Sequence, residues 1–299
     1  MYTQGSADNP PLLLVHGYPD DHRVWDSVAQ ELERDFLVIR YDVRGAGASD
    51  APPATTAYQL EILAADLNAV LDAVSPGRSV HLVAHDWGSI QSWEVVTDSD
   101  LSRRIASFTS ISGPCLDHMG FWLRSRLLPP LRLHWIQLLG QLLRSWYVIL
   151  FHLPGTVLAW RLGVSRAWPW LLQRTEHVTV SGRTGQARDG VNGVRLYRAN
   201  FLRRLLRPSE RFTDVPVQLI VPANDLFVSP HLYDDLHRWV PHLSVHQMTA
   251  GHWLPLSQPQ LLAERICRFA LMINASETGA KPACDVDISQ ASTPQSVSV

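Results

Sequence analysis

Lysine is nearly missing from this chain: Lys281 is the only one among 26 Lys and Arg residues, so positive charge rests almost entirely on guanidinium groups. The formal net charge is only −2, and nothing in that balance argues for nucleic acid. Cysteine is also scarce. Cys115, Cys267 and Cys284 are odd in number and lack metal-ligand spacing, so neither a disulfide framework nor a zinc site is expected. No uninterrupted apolar stretch is long enough to span a bilayer, and residues 1–6 lack the charged and apolar regions of a secretory signal. A reducing cytoplasm therefore fits best. From His118 to Thr175 there is no acidic residue at all, and Gly-x-Ser-x-Gly occurs nowhere, which disfavours an ordinary serine esterase.

What is present suits a globular enzyme. With 299 residues, 46% hydrophobic and 18% charged, the chain can bury one α/β domain plus an insertion. Short apolar runs predict strands at Leu12 to Val15, Phe36 to Tyr41, Val80 to Val83, Ile105 to Ile111, Val215 to Val221 and Leu243 to Met248. Their alternation with helical patterns argues for a mostly parallel sheet flanked by helices. Leu63, Leu67, Val70, Leu71 and Val74 repeat at helical spacing and predict a crossover helix stopped by Ser75-Pro76-Gly77; further helices are expected from Trp87 and over Gln258 to Met272.

The alternation pauses over 118–208, where Leu, Trp and Arg dominate and Pro129-Pro130, Pro154-Gly155 and Trp168-Pro169 mark breaks. This segment is read as a helical cap inserted between 1–117 and 209–274, the two parts of the sheet domain. Residues 275–299 are polar and small and are expected to be a disordered tail.

The apolar run ending at Val83 leads into Ala84-His85-Asp86-Trp87-Gly88. Small residues flanking a central side chain at a strand-to-helix turn form the nucleophile elbow of α/β hydrolases, and Asp86 occupies the place usually held by serine. A carboxylate there suits attack on saturated carbon. It opens an epoxide or displaces a halide, leaving a hydrolysable alkyl ester.

Two later loops complete a nucleophile, acid and base order. Asp225 in Pro222-Ala223-Asn224-Asp225 follows a predicted strand and would orient His252, which follows another in Ala250-Gly251-His252-Trp253 and would take a proton from water. His16-Gly17-Tyr18-Pro19 follows the first strand, so His16, Gly17 and Pro19 would form a supporting loop. There the Tyr18 N–H, paired with that of Trp87, would make an oxyanion hole. Asp42 to Asp50 carries Gly-x-Gly after a strand, but Asp50 stands where a dinucleotide loop needs glycine. It is read as a structural loop in which Asp42 and Arg44 pair beside the site.

These motifs, with Asp42-x-Arg44-Gly45-x-Gly47-x-Ser49 and Asn224-Asp225, resemble the α/β-hydrolase-fold epoxide hydrolases over roughly residues 11–272. The resemblance implies an α/β-hydrolase fold with an inserted cap, and two cap tyrosines that hydrogen-bond the epoxide oxygen. The matching positions are Tyr147, eight residues before Gly155, and Tyr197 in Tyr197-Arg198-Ala199-Asn200. No metal or organic cofactor is implied; the partners are a lipophilic epoxide and water. With Ser110-Ile111-Ser112-Gly113-Pro114 and Asp117-His118, the pattern is similar to the hydrolase half of proteins that fuse an epoxide hydrolase to a short-chain dehydrogenase. About ten residues precede the first clear strand, so one or two edge strands are expected to be short or absent.

Two alternatives stay open: a haloalkane dehalogenase using the Trp87 indole, and a catalytically silent lipid-binding protein. The acid-free cap also sets Arg124, Arg126, Arg132, Arg144, Arg161, Arg166 and Arg174 among tryptophans, a composition suited either to a solvated cap over a substrate tunnel or to contact with anionic lipid.

Overall fold

The computed structural model describes residues 1–127 and 132–278. Its sheet comprises β1 (Tyr2–Gln4), β2 (Pro11–Val15), β3 (Leu37–Tyr41), β4 (Val80–His85), β5 (Ile105–Ile111), β6 (Val217–Pro222) and β7 (Leu243–Met248). The strand order is β1-β3-β2-β4-β5-β6-β7, with β1 antiparallel to β3 and every other pair parallel. Every residue of β2, β4, β5 and β6 is buried, as expected of parallel strands covered on both faces. Successive side chains alternate between two cores: Leu12 and Leu14 join one cluster, Leu13 and Val15 the other.

All six predicted strands form, and the short start of the chain adds β1, a three-residue edge. Helices α1 (Asp26–Leu32), α2 (Leu60–Val74) and α3 (Trp87–Val96) pack on the sheet. In α2, Leu63, Leu67 and Leu71 recur every fourth residue and are buried, which places its apolar stripe against the strands.

Between β5 and β6 the chain forms α4 (Leu116–Leu127), α5 (Arg132–Arg144), α6 (Trp146–His152), α7 (Thr156–Ala159), α8 (Ser165–Glu176) and α9 (Gln186–Leu206), with a π-helical turn at Trp160–Val164. These helices are called the cap below. Pro154-Gly155 separates α6 from α7, whereas Pro169 lies inside α8; Pro129-Pro130 lies outside the described residues. Packing of the Trp168 ring on Trp160 and Trp253, at centroid distances of 5.6 and 5.4 Å, holds α8 in place despite the missing N–H of Pro169.

The first and last cap helices meet the core at a buried ionic knot. Arg204 of α9 bonds Asp117 of α4 at 2.8 Å and Glu94 of α3 at 2.9 Å, and Arg211 reaches the same two carboxylates at 3.3 and 2.9 Å. After β7 come α10 (Leu254–Ser257) and α11 (Pro259–Thr278). The tail was expected from Ala275, but α11 runs on to Thr278: the apolar residues Ile266, Phe269 and Ala270 bury its body and the backbone ladder carries it onward. The remainder, 279–299, lies outside the described residues.

Candidate active site

The sheet order reverses at β2, whose neighbours are β3 on one side and β4 on the other. Loops leaving the carboxyl ends of β2 and β4 part there and open a crevice. At the end of β4, Asp86 adopts φ 51° and ψ −123°, a conformation that non-glycine residues rarely hold and that turns its side chain out of the strand-to-helix bend. Gly17 passes close beside it: a Cβ on Gly17 would stand 2.6 Å from Asp86 Oδ2, so only glycine fits. This approach lets the Tyr18 N–H donate to Asp86 Oδ2 at 2.7 Å. Trp87 opens α3, where an α-helix offers its N–H no internal acceptor.

The two later loops, which carry Asp225 and His252, converge on Asp86. His252 is buried, with Nδ1 2.9 Å from Asp225 Oδ2 and Nε2 3.7 Å from Asp86 Oδ1. The second contact is too long for a direct hydrogen bond but close enough for ionic attraction. Asp225 is itself fixed, since its Oδ1 accepts the Phe227 and Val228 N–H groups at 2.7 and 2.9 Å. Burial alone would raise the Asp225 pKa; the His252 charge and these N–H donors outweigh it and hold the carboxyl below its usual range. For His252, burial pulls the pKa down, but Asp225 and Asp86 together lift it well above the usual histidine value. Both carboxylates therefore favour the protonated ring.

Tyr147 on α6 and Tyr197 on α9 face the same cavity as Asp86 and His252, a space of about 570 Å³ whose walls are otherwise mainly aromatic and aliphatic. The two phenol rings lie 5.8 Å apart, and Tyr197 stands edge-on to Trp87 at 4.7 Å. Burial first, then the nearby Asp86 charge, raises the pKa of Tyr147; burial, with Tyr147 and Asp86 beside it, raises that of Tyr197. Both remain protonated donors at neutral pH. Tyr18 lines the cavity with its ring while its hydroxyl donates to Gly190 O at 3.0 Å. A Cβ on Gly193 would lie 2.0 Å from the Tyr18 ring, so glycine permits α9 to press on this loop.

His16 braces the loop rather than reacting: its Nε2 accepts the Val43 N–H at 2.9 Å and its Nδ1 lies 2.9 Å from Gly17 O. Burial lowers its pKa, which keeps the ring neutral for these roles. Pro19 O accepts from Arg183 and from Gln186 Nε2, tying the loop to the cap. The expected Asp42–Arg44 pair does not form. Arg44 turns away to Asp66 of α2, at 2.6 and 2.7 Å, while Asp42 accepts from the His22 and Ala48 N–H groups and meets His22 Nδ1. Asp21, His22 and Asp42 cluster closely enough to ligate a metal, but Arg23 and Arg183 already neutralise Asp21, so the group reads as an ion-pair network.

Two acids were invisible as site residues in the sequence. Glu176, at the end of α8, accepts the His252 N–H on Oε1 and the Trp253 N–H on Oε2, both at 3.1 Å. Its one sequence signal is position, as the acid that ends the acid-free stretch. Asp20 accepts from Trp253 Nε1 at 2.8 Å, and burial raises its pKa to about 6.

The family model of the alpha/beta hydrolase fold matches residues 10–259, and the chain belongs to that family. It is 38% identical over 283 residues to a Mycobacterium tuberculosis (strain ATCC 25618 / H37Rv) protein named probable oxidoreductase EphD, covering 90% of this chain and 47% of that protein. The chain thus spans about half the length of that relative. It is 24% identical over 296 residues to epoxide hydrolase 3 of Mus musculus, covering 89% of this chain and 71% of the relative. Among solved structures, an inhibitor complex of Bacillus megaterium epoxide hydrolase superposes with a TM-score of 0.73 at 22% identity, over 90% of this chain and 95% of that one. At that identity the likeness is one of fold.

Proposed function

We propose that this protein opens a lipophilic epoxide to a vicinal diol through a covalent ester on Asp86. The observation that carries the reading is the meeting of an elbow carboxylate and two protonated tyrosines in one largely apolar cavity. Its relatives include proteins named epoxide hydrolases, which supports the reaction class. The 47% coverage of EphD fits a match to one half of a two-part protein, the hydrolase half of a dehydrogenase fusion.

In the first step an Asp86 oxygen bonds to an epoxide carbon as the ring C–O bond breaks. Tyr147 and Tyr197 donate to the opening oxygen, and one of their protons ends on the alcohol. Alkylation removes the charge of Asp86. His252 then loses one of the two carboxylates that held its proton, its pKa falls, and that proton passes to the tyrosinate, which restores the phenol and leaves a neutral imidazole able to take a proton from water. The hydroxide so formed attacks the ester carbonyl, and the Tyr18 and Trp87 N–H groups receive the oxyanion; its collapse re-forms the carbonyl and breaks the acyl C–O bond, the departing diol oxygen takes the proton of the new carboxyl group, and the Asp86 carboxylate and His252 imidazolium are restored.

Replacing His252 with Gln should leave ester formation in place and slow its hydrolysis by about 10²-fold to 10⁴-fold. Intact-mass measurement should then find the protein heavier by one epoxide, an adduct that Asp86→Ala abolishes. Diol release without any adduct in the Gln variant would contradict the mechanism. Halide release from haloalkanes, or binding of both ligand classes without turnover, would point instead to a dehalogenase or a silent binding protein.

A further inference from the structure

The outer side of the cap is apolar where a globular surface is ordinarily polar. Ile136, Leu139 and Leu143 follow one another at helical spacing along α5 and are all exposed, Leu143 to 68%. On α6, Trp146 is 59% and Ile149 70% exposed, and Leu158, Leu162 and Trp170 extend the surface over α7 and α8. Of the seven arginines in the acid-free stretch, four bond backbone carbonyls or carboxylates: Arg124 bonds Leu206 O, Arg126 pairs with Asp234 and Asp235, Arg144 bonds Gly140 O and Arg166 bonds Leu162 O. Arg161, Arg166 and Arg174 remain exposed, the last two flanking Trp170 at four-residue spacing, in a stretch without a single acid. Trp146, Leu150 and Leu153 belong to both surfaces: they are exposed on the outside and line the catalytic cavity within.

We infer that this face docks on an anionic bilayer and that substrate dissolved in the lipid enters the cavity across the Trp146 rim. The entry route rests on the epoxide-opening reading; the docking does not. Apolar side chains settle into the boundary between headgroups and acyl chains while the arginines meet lipid phosphates. Crossing is a different matter. Among the described residues no single helix is long and apolar enough to cross a membrane, and α6 with the α7–α8 segment reaches that hydropathy only as a pair bent by 103°.

The test uses the full chain and vesicles of phosphatidylcholine with or without phosphatidylglycerol. The wild type should sediment with the anionic vesicles and much less with the neutral ones. The combined L139E/L143E/I149E variant, none of whose positions lines the cavity, should lose at least about tenfold in vesicle affinity. R161Q/R166Q/R174Q should lose about fivefold per arginine toward anionic vesicles only. Turnover of a small water-dissolved epoxide by the L139E/L143E/I149E variant should be unchanged, while turnover of a long-chain epoxide held in vesicles falls in step with binding. Wild type that ignores anionic vesicles would overturn docking. So would a dimer, seen by analytical ultracentrifugation, that the same triple variant dissociates, because the occupant would then be a second copy. Failure to form diol from either substrate would remove the epoxide-opening reading alone, leaving sedimentation to decide docking.

Discussion

Glu176 offers the sharpest test of how the cap governs the base. Its two oxygens each hold one backbone N–H, those of His252 and Trp253, both at 3.1 Å, so a cap helix fixes the loop that carries the imidazole. Glu176→Ala leaves two buried donors without their acceptor. At about 1–3 kcal/mol for each, the variant should lose about 2–6 kcal/mol of stability in urea unfolding. Glu176→Gln keeps one acceptor and removes a charge whose burial already raises the Glu176 pKa, so its loss should be smaller, about 1–3 kcal/mol. The kinetic consequence falls on one step. Displacing a catalytic group by about 1 Å costs up to about 100-fold, so ester decay in Glu176→Ala should slow by about 10-fold to 100-fold. On the proposed mechanism ester formation rests on Asp86 and the tyrosines and should change little. Rapid quenching followed by intact-mass analysis measures both rates in one experiment. Equal slowing of the two steps, or unchanged decay in a destabilised protein, would refute the assignment of Glu176 as a positioning residue for His252.

Tyr197→Phe should lower the rate of ester formation by about 10-fold to 100-fold in single-turnover mass measurements, with decay of the ester little affected. Arg204→Ala leaves Glu94 and Asp117 short of a buried partner and should cost about 3–5 kcal/mol in urea unfolding. Asp20 gives a pH signature with a definite sign. Because its folded pKa, about 6, lies above the usual 3.8, the native state binds more protons than the unfolded one between those values, and stability falls as pH rises through them. Asp20→Asn keeps an acceptor for Trp253 and removes that fall, so its stability relative to wild type should be about 2 kcal/mol better at pH 8 than at pH 4. A constant difference across that range would count against a raised Asp20 pKa.

The parts of this architecture that could be read from sequence are those encoded locally. Continuous apolar runs such as Val80 to Val83 announce strands covered on both faces, and Ala84-His85-Asp86-Trp87-Gly88 announces the elbow because the bend needs small neighbours. The three residues of β1 are too few to show an alternation, so the sequence leaves the edge as short or absent. Asp42 and Arg44 are near neighbours in sequence, yet the loop sends one toward His22 and the other out to α2, an outcome set by tertiary packing. Glu176 stands 76 residues from His252, and its role exists only once the cap has folded over β7. The cap arginines looked equivalent as a string. Several turned out to hold carbonyls and carboxylates, which no pattern of spacing distinguishes from a solvated guanidinium.

The ionic knot at Glu94 has an architectural consequence. Asp117 stands where the chain leaves the sheet and Arg204 where it is about to return, so the two roots of the insertion are bolted to each other and to one anchoring acid. Everything between them forms a closed handle. Strand register and the Asp86 bend lie outside that handle, whereas Tyr147, Glu176 and Tyr197 lie within it, so on the proposed mechanism the insertion carries part of the reaction chemistry as well as ligand preference.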